Sequence, residues 1–344
     1  MTGLLMLAAA DVERALHGRE ADVLDVVADT YKLHAAGMTV VPHSSFVPLP
    51  GDRRRIIALP AYVGAGEPRA GIKWIASFPE NVRHGLERAS AVIVLNSMTT
   101  GYPEVVLEGS RISAARTAAS AAVAARALRP DERWREIGVV GCGVINLHVL
   151  RYLRAAGVSL ERVLVCDLDG ERAERFAATC ERELALRAGV TADVDEVLSS
   201  QRLVSFATTA SRPHVESLGG CPAGALLLHL SLRDIAPQAI AAVDNVVDDA
   251  DHVCRASTSL HLAELLSGDR HFIRASIGEV LLGEAAGAPD DASVTVYSPF
   301  GLGALDIALA AFVTDGAVAA GAGSRVDEFF AAPAPHASAE ALAS

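Results

Sequence analysis

Apolar residues recur at helical spacing through residues 11–36, where Val12, Leu16, Val23, Val26 and Val27 share a face, and this predicts a helix. Residues 39–64 then switch to strand-like runs punctuated by Pro and Gly, TVVPHSSFVPLP followed by RIIALPAYVG. AGIKWIASF and SAVIVLN predict two further strands, separated by a polar loop from Pro79 to Arg88. Gly101-Tyr102-Pro103 predicts a turn. The Ala-rich run from Pro103 to Leu128 predicts a long helix, broken at Pro130.

The pattern changes beyond that point. EIGVVGCGVINLHVLRYLRAAG reads as an apolar strand, a glycine turn and a helix, and RVLVCDLD as a second strand ending in acid. A helix, GERAERFAATCEREL, follows, and LVSFATTA, ALLLHLSL and NVVDDADHV supply more short β runs. Strands alternating with helices imply a parallel sheet covered on both faces. The expected fold is α/β, with a Rossmann-type doubly wound parallel sheet and a mixed α/β domain drawn from the N-terminal third. After Gly301 the chain returns to an Ala-rich helix, and its last ~15 residues, rich in Ala and Pro, are expected to fray.

Composition narrows the function. A chain of 344 residues exceeds the usual size of a single core, so two domains or one composite are expected. With 51 % hydrophobic and 21 % charged residues it is no disordered chain. The net charge of −12 argues against nucleic acid or an anionic membrane as a partner, since both demand cationic surfaces. A local basic pocket for a small acid remains compatible with it. Five cysteines without a C-x-x-C pair fit a reduced chain with no disulfide framework and no metal site. The apolar start lacks a basic n-region, and no long uncharged apolar stretch occurs, so a soluble, cytoplasmic protein is expected.

Gly141-Cys142-Gly143-Val144-Ile145-Asn146 follows a strand and opens a helix. The first glycine suits a tight turn, and the second lets backbone approach a pyrophosphate at the helix N-terminus. The third glycine of that fingerprint is replaced by Asn146. Asp167 ends the next strand, 24 residues after Gly143, near the spacing of an acid that binds an adenosine ribose. An acid there repels a 2′-phosphate, so NAD is favoured over NADP. Asp169 is the alternative ribose ligand, and a plain strand–helix turn binding no nucleotide is the alternative to the whole motif.

Three ionisable residues stand out. Lys73 lies inside an apolar strand, where a lysine must be paired, in use, or snorkelling to water from a strand end. Arg116-Thr117 lies within the Ala-rich helix. Its guanidinium suits bidentate carboxylate binding, or else a salt bridge to an acid such as Glu108. Asp234 follows ALLLHLSL, at the strand edge where doubly wound sheets bind ligands, and otherwise caps the next helix. His43, His148 and His229 read as structural, and Cys142 as a space-filler. No G-x-S-x-G, H-E-x-x-H, Walker or EF-hand pattern occurs, which removes the usual hydrolase, zincin and NTPase readings.

Taken in order, GIKWIASFPEN, TGYPEVVLEGSRISAARTAASAAVAARAL, GVVGCGVIN, LSLRDI and SPFGLGALDIALA resemble the ornithine cyclodeaminase/mu-crystallin family over about residues 60–315. RRRIIALPAYVG, LERASAVIVLN and VVDDADHVCR resemble its branch in 2,3-diaminopropionate biosynthesis, the N-[(2S)-2-amino-2-carboxyethyl]-L-glutamate dehydrogenases of siderophore and peptide-antibiotic pathways. The resemblance implies a homodimer. Residues 1–117 with 305–344 would form a substrate-binding and dimerisation domain, and 118–304 an NAD-binding Rossmann domain. It implies oxidation of a tricarboxylate amino-acid adduct to L-2,3-diaminopropionate, 2-oxoglutarate and NADH. It places the catalytic aspartate on Asp234, the substrate-orienting lysine on Lys73 and the carboxylate-binding arginine on Arg116. The cofactor would meet Gly141, Gly143, Val144, Ile145, Asp167, Thr117, Thr208 and Ser231. Two departures matter. Both are placed among the expected substrate-binding residues: His43 stands where cyclodeaminases carry an arginine, and Arg88 is an added cation where they tend to have a small residue. An extra cation suits a substrate with three carboxylates. A cyclodeaminase, an alanine dehydrogenase or ketimine reductase, and a non-catalytic crystallin-like protein are the competing readings.

Overall fold

The computed structural model describes residues 3–49, 54–64 and 66–330. The tail expected to fray lies, from residue 331 on, outside the described residues. No helix among the described residues is long and apolar enough to cross a membrane.

Two sheets organise the chain. The first contains β1 (Leu4–Leu7), β2 (Thr39–Val40), β3 (Ser45–Pro48), β4 (Arg55–Val63), β5 (Arg69–Ser77), β6 (Ala89–Asn96) and β7 (Pro103–Glu108). The second contains β8 (Glu136–Val140), β9 (Arg162–Cys166), β10 (Arg187–Thr191), β11 (Leu203–Phe206), β12 (Leu226–His229), β13 (Asp244–Val247), β14 (Ile273–Ser276) and β15 (Thr295–Ser298). The last strand, β16 (Ser324–Val326), returns to the first sheet. That sheet is mixed, with the order β16-β1-β7-β6-β5-β4-β2 and β3 on β4, and only the β1–β7 pair is parallel. The second is wholly parallel, ordered β10-β9-β8-β11-β12-β15-β13-β14. The chain therefore leaves β8 in one direction through β9 and β10, and in the other through β11. This is the doubly wound arrangement, whose switch point lies between the ends of β8 and β11.

Several elements differ from the sequence pattern. The helix expected over 11–36 is two helices, Ala9–Leu16 and Glu20–Ala35, parted where Gly18 takes a φ of +71°. Leu4–Leu7, read only as a brief apolar start, is a strand. The helix expected from Pro103 begins at Ser110, because Pro103–Glu108 pairs as β7 with both β1 and β6. Its alternation buries Val105 and Leu107, a period of two that the adjoining alanines mask. Glu108 then anchors the helix start by accepting the Ser110 and Arg111 amides at 2.7 and 3.2 Å.

Helix Ser110–Leu128 joins the two halves. Ala118, Ala119, Ala121, Ala122, Ala124 and Ala125 are all buried. Their small side chains let it pack against helices 20–35, 144–155 and 303–319 at once. A single apolar cluster therefore runs from Leu5 in the first sheet to Leu228 in the second. Helix Gly303–Ala319 follows β15 and lies across β4, β5 and β6, on the face that β5 gives to Lys73.

Candidate active site

A cleft of about 1660 Å³ opens between the sheets at the carboxyl ends of β8, β9 and β11. The glycine turn forms one wall. Gly141 has a φ of +93°, and a Cβ there would stand 2.5 Å from the Ala207 carbonyl oxygen, so only glycine lets β8 and β11 meet so closely. Gly143 caps helix Val144–Ala155 with no side-chain partner for its first amides, and no atom lies within 4 Å of where its Cβ would point. The Asn in place of the third glycine is structural. Buried Asn146 donates to the Val140 and Gly141 carbonyls at 3.0 and 2.7 Å and accepts from Ser205 Oγ at 2.7 Å, tying the turn to β11.

Asp167 accepts the Cys142 amide at 2.7 Å and the Asp169 amide at 3.0 Å. Asp169 instead caps helix Gly170–Leu184 by accepting the Arg172 amide. The carboxylate fixed beside the turn is thus that of Asp167. An open helix N-terminus, a glycine with room above it and a fixed acid at the next strand end fit a dinucleotide's pyrophosphate and ribose. Val144, Ile145, Thr117, Thr208 and Ser231 line the same cleft.

Lys73 and Arg116 meet on an acid that the sequence reading did not single out. Lys73 Nζ donates to Asp306 Oδ2 at 2.6 Å and to Ser113 Oγ at 3.2 Å, and Arg116 Nε donates to Asp306 Oδ1 at 3.1 Å. Lys73 is 1 % exposed and Asp306 0 %. Burial and the Arg116 charge pull Lys73 down to about 8, against the opposing pull of Asp306. Arg116 reaches the cleft because residue 301 is glycine at a φ of +93°. A Cβ there would lie 2.4 Å from Arg116 Nη1. Asp248 holds that turn by accepting the Phe300 and Gly301 amides at 2.8 and 2.7 Å. The signal for Asp306 was a lone acid in the apolar helix GALDIALA.

Asp234 is 0 % exposed, behind Thr208, His214 and Ser231. Thr208 Oγ1 donates to its Oδ1 at 2.5 Å and Ser231 Oγ to its Oδ2 at 2.5 Å. His214 Nε2 stands 3.2 Å from Oδ1, and His229 Nε2 3.2 Å from Oδ2. Burial works to raise this carboxyl, but the hydrogen bonds from His214, His229 and Ser231 and the nearby His229 charge hold it well below the usual carboxylate range. Between Ser231 and Asp234, Leu232 takes a φ of +65°, costly for a residue with a Cβ and sustained here by the polar cage.

The far rim is cationic. Arg55 and Arg88 both line the cleft, and neither has a carboxylate partner among the described residues. Arg88 Nη1 donates to Ser77 Oγ at 2.7 Å. Burial and the neighbouring Arg55 charge lower Arg88, although a guanidinium stays protonated in water. His43 is not among the cleft residues. Its ring stacks edge-on against His252 at 5.1 Å, with Arg255 Nη1 2.9 Å from its Nδ1. Arg55 and His214 join Asp306 as site residues that the sequence reading missed, because neither sits in a motif with chemical spacing.

The doubly wound sheet, its glycine turn at the switch point and the acid beside it define a dinucleotide-linked oxidoreductase of Rossmann type. More narrowly, the chain belongs to the ornithine cyclodeaminase/mu-crystallin family, whose model matches residues 4–321. It is 28 % identical over 318 residues to an N-((2S)-2-amino-2-carboxyethyl)-L-glutamate dehydrogenase of Staphylococcus aureus, covering 90 % of this chain and 94 % of the relative. An archaeal alanine dehydrogenase dimer with bound NAD is 25 % identical and superposes with a TM-score of 0.84, over 95 % of this chain and all of that one. The Delta(1)-pyrroline-2-carboxylate reductase of Thermococcus litoralis, solved with NADH and L-proline, shares the fold. Its TM-score is 0.87 at 24 % identity, over 94 % of this chain and all of that one.

Proposed function

We propose that the chain is an NAD-dependent dehydrogenase that cleaves N-[(2S)-2-amino-2-carboxyethyl]-L-glutamate to L-2,3-diaminopropionate and 2-oxoglutarate. The observation that carries this reading is the cationic rim. In a chain of net charge −12, Arg55 and Arg88 face the cleft without a carboxylate partner among the described residues, beside Arg116. Two guanidinium groups without carboxylate partners give the cleft a local positive potential that a polyanionic ligand can meet with charge-assisted hydrogen bonds, and the adduct brings three carboxylates. The S. aureus relative supports the same substrate.

When bound, NAD supplies the hydride acceptor. Arg116 and Arg88 clamp carboxylates and so fix the glutamyl Cα–H in one orientation. Lys73 and Asp306 hold Arg116 from behind, and Lys73 adds positive potential where charge builds on the carbon–nitrogen unit. Asp234 anchors the proton-transfer end of the cleft. Water's oxygen becomes the keto oxygen, the C–N bond breaks and one proton is released for each NADH.

Residues 1–117 with 305–344 would form the substrate and dimer half, and 118–304 the cofactor half. A homodimer is supported by the outer face of the first sheet, where Ile72, Trp74, Val92 and Val94 make an apolar surface and Trp74 is 44 % exposed. A cytoplasmic role in supplying a siderophore or peptide-antibiotic precursor belongs to the same reading.

The test is NADH absorbance with the synthetic adduct and, in parallel, with ornithine. Equal yields of NADH, diaminopropionate and 2-oxoglutarate from the adduct are expected. Proline and ammonia from ornithine with no net NADH would overturn the proposal. Arg88→Ala is expected to raise KM for the adduct by about 10-fold or more, the worth of one charge-assisted hydrogen bond. An unchanged KM removes the argument from the rim.

A further inference from the structure

The geometry points to His214 as the group that exchanges a proton with the substrate nitrogen, and to Asp234 as the positioning residue behind it. This deepens the proposal above and rests on it for the identity of the amine. Asp234 has no surface in the cleft, and its two oxygens already face Thr208, His214, His229 and Ser231. His214 lines the cleft with its side chain 39 % exposed. Both the backbone and the ring of His214 are held. Its own amide and that of Val215 donate to the Asp234 carbonyl at 2.8 and 2.9 Å, while Nε2 lies 3.2 Å from the Asp234 carboxylate. An acceptor-only carboxylate requires the proton on Nε2. Nδ1 then carries the lone pair, and it has no hydrogen-bond partner among the described residues.

His229 is the internal control. It touches the same carboxylate but is 0 % exposed, and its Nδ1 is engaged by Ser298 Oγ at 3.1 Å. It braces Asp234 and has no free nitrogen for a ligand. Two arginines lie nearby: Arg233, whose guanidinium feels the Asp234 charge, and Arg212, two residues before His214 and also on the cleft wall.

The step is a proton transfer alone. The substrate's bridging nitrogen enters as an ammonium. Its N–H bond breaks, an Nδ1–H bond forms, and the electron pair stays on the substrate nitrogen, which needs it before Cα can release hydride. The imidazolium is stabilised by the Asp234 carboxylate and later returns the proton to the departing amine.

Ring nitrogen-15 spectra of the unliganded protein, with the signal assigned by its loss in His214→Gln, test the pair without any turnover. The expected result is an Nε2–H, Nδ1-unprotonated neutral ring that loses this preference in Asp234→Asn. A wild-type ring protonated on Nδ1 overturns the assignment. In kinetics, His214→Gln is expected to lower kcat by about 10²–10³-fold with NAD and adduct binding within a factor of about two. His214→Ala should regain part of the rate with added imidazole. Full kcat in His214→Gln, or a loss carried wholly by adduct affinity, also overturns it. If the wild-type protein does not oxidise the adduct at all, the substrate reading fails, while the spectra still decide the His214–Asp234 pair.

Discussion

Asp306→Asn is the sharpest perturbation of the site. It keeps the shape of the side chain and removes one charge from a group with no solvent exposure, bonded to Lys73 at 2.6 Å and Arg116 at 3.1 Å. Breaking a buried pair by neutralising one partner costs about 3–5 kcal/mol, because the remaining charge is left uncompensated. Here two cations are left, so the upper part of that range applies. At about 2 °C per kcal/mol for a chain of this size, the melting temperature falls by about 8–10 °C. Differential scanning calorimetry on the purified variant reads this directly. Adding Lys73→Met to Asp306→Asn removes the stranded ammonium and is expected to recover at least half of the loss, as coupled neighbours do. An Asp306→Asn protein that melts within about 1 °C of wild type, or a double variant no better than the single, would refute the view that this acid neutralises the two cations.

Three further outcomes follow from the same geometry. Asp167→Ala removes the acceptor of the Cys142 amide and is expected to weaken NAD by about tenfold or more while narrowing the discrimination against NADP; unchanged NAD affinity by fluorescence titration would move the ribose contact elsewhere. Trp74→Arg places a charge in the outer face of the first sheet and should yield monomers by sedimentation velocity, and an unaltered sedimentation coefficient would remove that face from the interface. Lys73 titrates at about 8 in the folded chain against 10.5 when free, so between those values the unfolded chain binds the extra proton. Its contribution to stability is therefore full above 10.5 and lost as pH falls through 8. The melting difference between wild type and Lys73→Met should shift in favour of wild type as pH rises across that window, and a flat difference contradicts the assignment.

In the second sheet β8, β9, β11, β12 and β13 were legible as short apolar runs, and Gly141 and Asp167 sit in local sequence with their own context, whereas β10, β14 and β15 went unread because RAGVT, IRAS and TVYS are too short or too polar to stand out. The first sheet was harder. Pro103–Glu108 adjoins a run of alanines, and a six-residue strand next to nineteen helical residues is absorbed into the stronger pattern. The break at Gly18 failed to register because helical spacing resumes on both sides of it. In the site, Lys73, Arg116 and Asp234 were conspicuous as charges amid apolar residues. Asp306 was equally isolated, but its meaning lies in a contact 233 residues away, which no local pattern carries. His214 draws its interest from facing the cleft and from the carboxylate at its back, and both are properties of the folded chain.

Helix Ser110–Leu128 has a mechanical consequence. A cleft enzyme built from two bodies on a thin linker can open like a jaw, yet here a buried alanine rod is common to both jaws. Swinging them apart would drag Ala118, Ala121 and Ala125 out of a shared interior, and such a motion is resisted as firmly as local unfolding. The Pro79–His84 turn carrying Arg83 and the exposed Leu168 stand at the cleft rim, outside that shared interior. The same rod makes residue 117 a poor place to divide the gene. A fragment ending there would terminate inside a helix, with its alanine face uncovered and Arg116 one residue from a free end.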